Sequence, residues 1–282
     1  MNTLLPLIAA VVHASSLVCD KMILSAHGVD YRAYLRFGYP LYFGAMVVLF
    51  LVFSPPLPPE LFQGELLALF LTSAAVMLVL AIAYYRALDD DGLGEVQTLD
   101  LLHYIPVVLV SAVLFSDERN PLVIIAALIA AGAVFWSHFE HHRVAIAKRT
   151  LAFVAWAALA APTEAALAKT LLAHWHPVAF GTVRSGVIAL AIFRLFSRHA
   201  QRLPASAMRF SVLPAMLSAI AVTLYFYSFQ RLGIVHTVLL FSIQPLLVYA
   251  AAVLFLKEQF HWKKAVAFVI VLGAITAAQL LS

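Results

Sequence analysis

Residues 106–118 read PVVLVSAVLFSDE, and residues 245–258 read PLLVYAAAVLFLKE. In each stretch a proline opens an apolar run, the run closes on the same tetrapeptide, and a glutamate follows. The tetrapeptides are Ala112-Val113-Leu114-Phe115 and Ala252-Val253-Leu254-Phe255, and the glutamates are Glu118 and Glu258. Pro106 precedes its glutamate by 12 residues and Pro245 by 13, and a glycine then follows at nearly equal distance, Gly132 or Gly273. Upstream, Lys21 stands 15 residues before Arg36, and Lys169 stands 15 before Arg184. A single match of this kind arises by chance; an ordered series of them points to a chain built from two related halves.

The medium around those halves follows from composition. Of 282 residues, 64% are hydrophobic and 11% charged, and mean hydropathy is +0.96. Soluble domains carry about 25% charged residues, and a folded chain in water must still present a wettable surface. Lipid is the solvent that accepts this one. A crossing helix needs roughly 20 apolar residues, so the chain has room for ten and for no soluble domain. Hydropathy and turn residues place spans at Leu4–Leu24, Tyr34–Phe53, Leu66–Tyr85, Val96–Phe115 and Leu122–Trp136 in the first half. The second half has spans at Leu151–Leu172, Ala179–Phe196, Ser211–Phe229, Thr237–Leu256 and Ala265–Leu281. The expected fold class is therefore an all-α integral membrane protein of ten transmembrane helices. Its halves are residues 1–142 and 151–282, joined by a basic linker, 143–150. With five spans in each half, the second enters the membrane from the opposite side, giving an inverted-topology repeat of the kind that holds substrate at mid-membrane in secondary transporters. The apolar start lacks a basic n-region and reads as a span, not a removable signal. The single cysteine, Cys19, has no disulfide partner. A pI near 9.2 reads as loop anchoring to an anionic membrane face, not as nucleic-acid binding.

The late lysine, the early Arg36-Phe37 step (Arg184-Ser185 in the second half) and the Pro…Leu-Phe…Glu…Gly close of each half resemble the drug/metabolite transporter superfamily, in its ten-helix EamA-like branch. The resemblance spans essentially the whole chain. It implies a secondary transporter, acting as an exporter of amino acids, amines, drugs or other small metabolites, with proton coupling or exchange. The chain departs from the family pattern where Ser116-Asp117-Glu118-Arg119 and Lys257-Glu258-Gln259 replace Gly-Glu-Arg. In helix one, His13-Ala14-Ser15-Ser16 replaces the usual Trp-Gly pair.

Basic residues near spans favour the cytoplasm. With Lys21, Arg36, Lys169 and Arg184 set aside, twelve of the fourteen remaining Lys and Arg fall in odd-numbered loops; Arg119 and Arg231 fall in even-numbered ones. The expectation is a multi-pass protein of the cell inner (plasma) membrane with both termini outside.

An ionisable group inside a span costs about 2.5–3.5 kcal/mol on insertion scales and usually faces a cavity or a partner. In helix one, His13, Ser16 and Asp20 share a stripe, and Asp20 could take a proton, bind a substrate amine or pair with a basic neighbour. Glu164 lies mid-span, two residues after Pro162, and could carry a proton or pair structurally with Lys169. Asp100 and His103 share a face with Gln97 and could line the cavity. Gln97 itself reads as an interfacial polar start to its helix; counted back nine residues from each proline, it corresponds to His236. Gln244, beside Pro245, is a candidate cavity hydrogen-bonder. Lys21, Arg36, Lys169 and Arg184 could hold an anion or brace the halves. Glu118 and Glu258 read as caps or braces, Asp89–Asp91 as a solvated loop, and His138, His141 and His142 as an interfacial cluster, not a metal site. The expected partners are a small-molecule substrate and the lipid bilayer, with no nucleic acid, no metal and no cofactor, in a monomer or homodimer. The competing readings are an intramembrane enzyme or a flippase acting on a lipid-linked substrate. No catalytic signature or nucleotide-binding loop favours an enzyme or an ATP-driven pump.

Overall fold

The structure, a computed structural model, describes residues 3–57, 59–90, 93–100, 103–137, 148–198, 203–255 and 262–281. The His138–His142 cluster, Glu258 and the first part of the linker lie outside the described residues. Within them there is no strand.

Twelve α-helices follow one another among the described residues: α1 Leu4–His27, α2 Tyr31–Phe53, α3 Gly64–Asp90, α4 Leu93–Asp100, α5 Tyr104–Leu114, α6 Pro121–Ser137, α7 Lys148–Leu172, α8 Pro177–Leu195, α9 Ala205–Phe210, α10 Val212–Phe241, α11 Gln244–Phe255 and α12 Trp262–Leu281. Their ends have local causes. α1 stops at Gly28, whose φ of 55° and ψ of 37° form a left-handed C-cap. Asp30 then caps α2 by accepting from the Arg32 amide at 2.8 Å. Asn120 accepts from the Leu122 and Val123 amides at 3.1 and 3.4 Å, with Pro121 as the first residue of α6. Two expected loops are helical instead. α3 carries Asp89 and Asp90 in its last turn, and α7 begins at Lys148, so the end of the basic linker belongs to a helix.

Among the described residues, five helical stretches are long and apolar enough to cross a membrane, and shorter apolar helices accompany them. Their outer surface is correspondingly apolar: Leu51, Val52, Val113, Leu159, Leu254 and Phe255 are all at least 70% exposed. The molecule is an all-α protein built for lipid.

The fourth and ninth spans depart from the continuous helices expected for them. The fourth is two half-helices, α4 and α5, parted just before Pro106. The ninth starts inside α10 and is interrupted at Ser242 and Ile243, just before Pro245, so α11 forms its second half. The loop expected between spans eight and nine is a single sharp break in α10 at Gly233, with φ 77° and ψ −179°. A proline removes a donor and blocks the preceding turn, and both interruptions sit on that turn.

The most extensive helix contacts are α1 with α10, α3 with α7, α2 with α8 and α6 with α12. In span numbers these pairs are one–eight, three–six, two–seven and five–ten. Exchanging the first five spans with the last five turns the first pair into the second and leaves the other two unchanged, so the helix pairing has two-fold character.

Candidate functional site

Between these helices lies a cavity of about 360 Å³, lined by α1 to α5 on one side and by α7, α8, α10 and α11 on the other. Its wall is dominated by aromatic rings. On α2, Tyr34, Tyr39 and Tyr42 lie with Leu35 and Gly38 along one helical face, and on α3 Tyr84 and Tyr85 continue the wall. None of these tyrosines stood out in the sequence, because each belongs to an apolar run. The signal was present in the spacing of positions 34, 35, 38, 39 and 42, which is that of a single stripe.

Three carboxylates reach the cavity, each held differently. Glu164 on α7 is buried and accepts a hydrogen bond from Arg184 on α8 and another, at 2.8 Å, from the Ser73 hydroxyl on α3. The Arg184 guanidinium lies over the rings of Phe180 and Phe226, at 4.7 and 4.8 Å from their centroids. The expected alternative partner of Glu164, Lys169, is engaged elsewhere. Five positions along a helix are about 140° around it, which turns Lys169 away. Asp20 on α1 is 2% exposed, and its two oxygens accept from the hydroxyls of Tyr34 and of Tyr85, the latter at 2.8 Å. These partners are neutral phenols, where a basic neighbour was one expectation. Asp100 accepts from, or shares a proton with, His103 Nδ1 at 3.0 Å.

Amides and imidazoles complete the polar lining. Gln97 is 4% exposed and faces the cavity, which replaces its reading as an interfacial residue. Its amide donates to the Tyr84 hydroxyl at 2.7 Å, and its carbonyl accepts from the Gln244 amide at 3.2 Å. The two broken spans thus meet through a pair of glutamines. His13 lines the same cavity against Phe241, with ring centroids 5.6 Å apart. Its Nδ1 is buried and has no hydrogen-bond partner. His236 does not line the cavity. It follows Gly233, whose non-helical backbone resets the helical phase and makes counting back from the proline misleading. Among the described residues no group of three or more His, Cys, Asp or Glu could hold a metal ion.

The four repeated basic residues do unlike things. Lys21 donates to the Leu88 carbonyl at 2.9 Å, Arg36 lies over Phe193 at 5.4 Å, and Arg184 joins the cavity wall. Lys169 sits at the far end of the bundle, where it bridges Asp117, at 2.5 Å, and Glu118. Glu118, 4% exposed, also accepts from the backbone N–H groups of Ile234 and Val235, at 2.7 and 3.0 Å. This carboxylate therefore caps the helix that restarts after Gly233. The Lys169 ammonium, donating to Asp117, holds that carboxyl below its usual range. Beside this cluster Trp175 stacks on Phe70, with centroids 5.2 Å apart, and meets Phe62 and Phe180 edge-on. Partial burial lowers the affinity of the nearby His176 imidazole for a proton. That side chain accepts from the Val178 amide at 3.3 Å and caps α8.

A comparison with curated proteins found no match. One solved structure, described as "Crystal structure of protein", is similar with a TM-score of 0.71 at 16% sequence identity, covering 97% of this chain and 99% of the other. That likeness shows the fold. Residues 148–278, which run from α7 into α12, match the EamA-like transporter family, whose members are membrane transporters. That match over residues 148–278 is in keeping with the drug/metabolite transporter superfamily that the sequence resembles, and the chain is a multi-pass membrane protein.

Proposed function

We propose that the protein is a secondary transporter exporting small metabolites across the inner membrane by alternating access between two inverted-topology halves, residues 1–142 and 151–282. The observation that carries this reading is the cavity itself. It is walled by both halves, its volume of about 360 Å³ suits a small metabolite, and one end of the bundle beyond it is tied shut across the halves by Lys169, Asp117 and Glu118. The other end bears the odd-numbered loops. By sequence, the odd-numbered loops carry twelve of the fourteen basic residues that count for orientation, which favours a cytoplasmic position for that end and an outside position for both termini. A cavity reaching toward the cytoplasm while its outer end is tied is the loading state of an exporter.

The test is reconstitution into liposomes that enclose a pH dye, followed by pools of amino acids, amines and other metabolites. Substrate-dependent flux with a pH change, absent from empty vesicles, is the expected result. Flux of labelled substrate without a pH change keeps the transporter and removes proton coupling. No flux from any pool overturns the reading. For orientation, a cysteine placed at Ser282 in a Cys19→Ser background should react with an impermeant maleimide on intact cells; reaction only after permeabilisation overturns termini outside.

A further inference from the structure

The charges that line the cavity do not balance. Among the described lining residues, three carboxylates stand against one guanidinium and two imidazoles. Arg184 and Glu164 neutralise each other in a direct hydrogen-bonded pair, and Asp100 is hydrogen-bonded with His103 at 3.0 Å. Asp20 is left with hydrogen bonds from two neutral hydroxyls. An ionised carboxylate offers about four acceptor positions, so two phenols leave it capacity for a further donor. The donors are also rings. Tyr34 and Tyr85 lie with centroids 5.5 Å apart, tilted at 45°, and Tyr84 meets Tyr85 edge-to-face at 5.3 Å. A carboxylate held by two hydroxyls in an aromatic-walled cavity attracts a cation through charge, with nearby rings to pack on its body. An anionic ligand would find the one guanidinium among the described lining residues already paired, with Asp20 and seven tyrosines sharing the lining. A second feature asks for a ligand. His13 lines the cavity and its buried Nδ1 has no hydrogen-bond partner, so a small shift of that ring on loading would let a ligand satisfy it.

Resting on the transport reading above, we propose that the substrate is a compact organic cation, an amine or ammonium on an aromatic or apolar body. Its charged head sits against Asp20 beside Tyr34 and Tyr85, and its body lies along the tyrosine wall toward His13 and Gln97. A lipid-linked substrate would need a much longer apolar groove than 360 Å³ provides.

The test is isothermal titration of the purified full-length protein in detergent. The ligands are tryptamine, tyramine and benzyltrimethylammonium, the neutral isosteres tryptophol and tyrosol, and the acid indole-3-propionate. The amines should bind at least about tenfold tighter than the matched alcohols, as expected for one charge-assisted contact with aromatic support. Asp20→Asn should erase that ratio and Asp20→Glu should retain most of it. The comparison among ligands on the unmodified protein stands even where a variant does not fold. Alcohols or the acid binding as well as the amines overturns the cation assignment, even where liposome flux shows a transporter. Amine binding without any flux upholds the assignment and removes the transport reading. No binding of any amine overturns the inference.

Discussion

Glu164 and Arg184 show what a single residue pair can and cannot disclose in advance. The carboxylate beside Pro162 was legible as a functional or bracing group, because an acid at mid-span needs a reason to be there. Its partner was not, because Lys169 is near in sequence but on another face, whereas Arg184 arrives on the neighbouring helix. Removing one member leaves the other charged and buried, which typically costs about 3–5 kcal/mol. Arg184→Ala and Glu164→Ala should therefore each lower the thermal midpoint sharply in detergent. The double variant Glu164→Leu/Arg184→Met should recover most of the loss; a double variant no better than the worse single one would remove the coupling. Asp117 gives a pH-dependent counterpart. Its folded pKa is depressed by Lys169, so its contribution is fully present above the ordinary aspartate range and is lost as pH falls through the depressed value. The stability gap between the unmodified protein and Asp117→Asn should accordingly be steady at neutral pH and close in acid, as followed by unfolding at a series of pH values.

At the scale of elements, Pro106 and Pro245 were legible as markers of the repeat, yet the breaks they accompany in spans four and nine were invisible. A proline marks a weak turn without saying whether the helix bends or stops. Gly233 was legible only as part of a connection, and the structure makes it the pivot of α10. Its φ of 77° with ψ near 180° is a backbone region open essentially to glycine, and a Cβ there would lie 2.5 Å from the Glu118 carboxylate oxygen. Gly233→Ala should cost about 1–3 kcal/mol from the backbone alone, with a further loss as Glu118 is displaced from the amides it caps. Gly181 offers the contrast. An added Cβ would come within 2.6 Å of Met46 Cε, but that atom ends a flexible side chain that can move aside. Thermal unfolding should rank Gly181→Ala well above Gly233→Ala; equal losses would remove the argument from the cap.

For the whole molecule, composition was enough to read the solvent, because it is a property of many residues at once; the repeated Pro…Glu stretches raise duplication as an expectation. The cavity was less legible. His13, Asp20, Asp100, His103, Glu164 and Gln244 do line it, whereas its tyrosine wall exists only once α2 and α3 face α7, α8 and α10. If the far end is a gate, bridging it should stop flux without blocking binding from the other side. Cysteines at Asp117 and Lys169 in a Cys19→Ser background, joined by a short bismaleimide, should abolish transport in liposomes and leave tryptamine binding intact; unimpaired flux would show that this end never opens. The cap on α10 has one more consequence. Ile234 and Val235 receive their acceptor from the opposite half, so separating the halves there strands two backbone donors at roughly 1–3 kcal/mol each unless water or substrate-driven rearrangement replaces the bond. On the proposed reading, an empty carrier should therefore idle with its Lys169 end shut and leak few ions until cargo arrives.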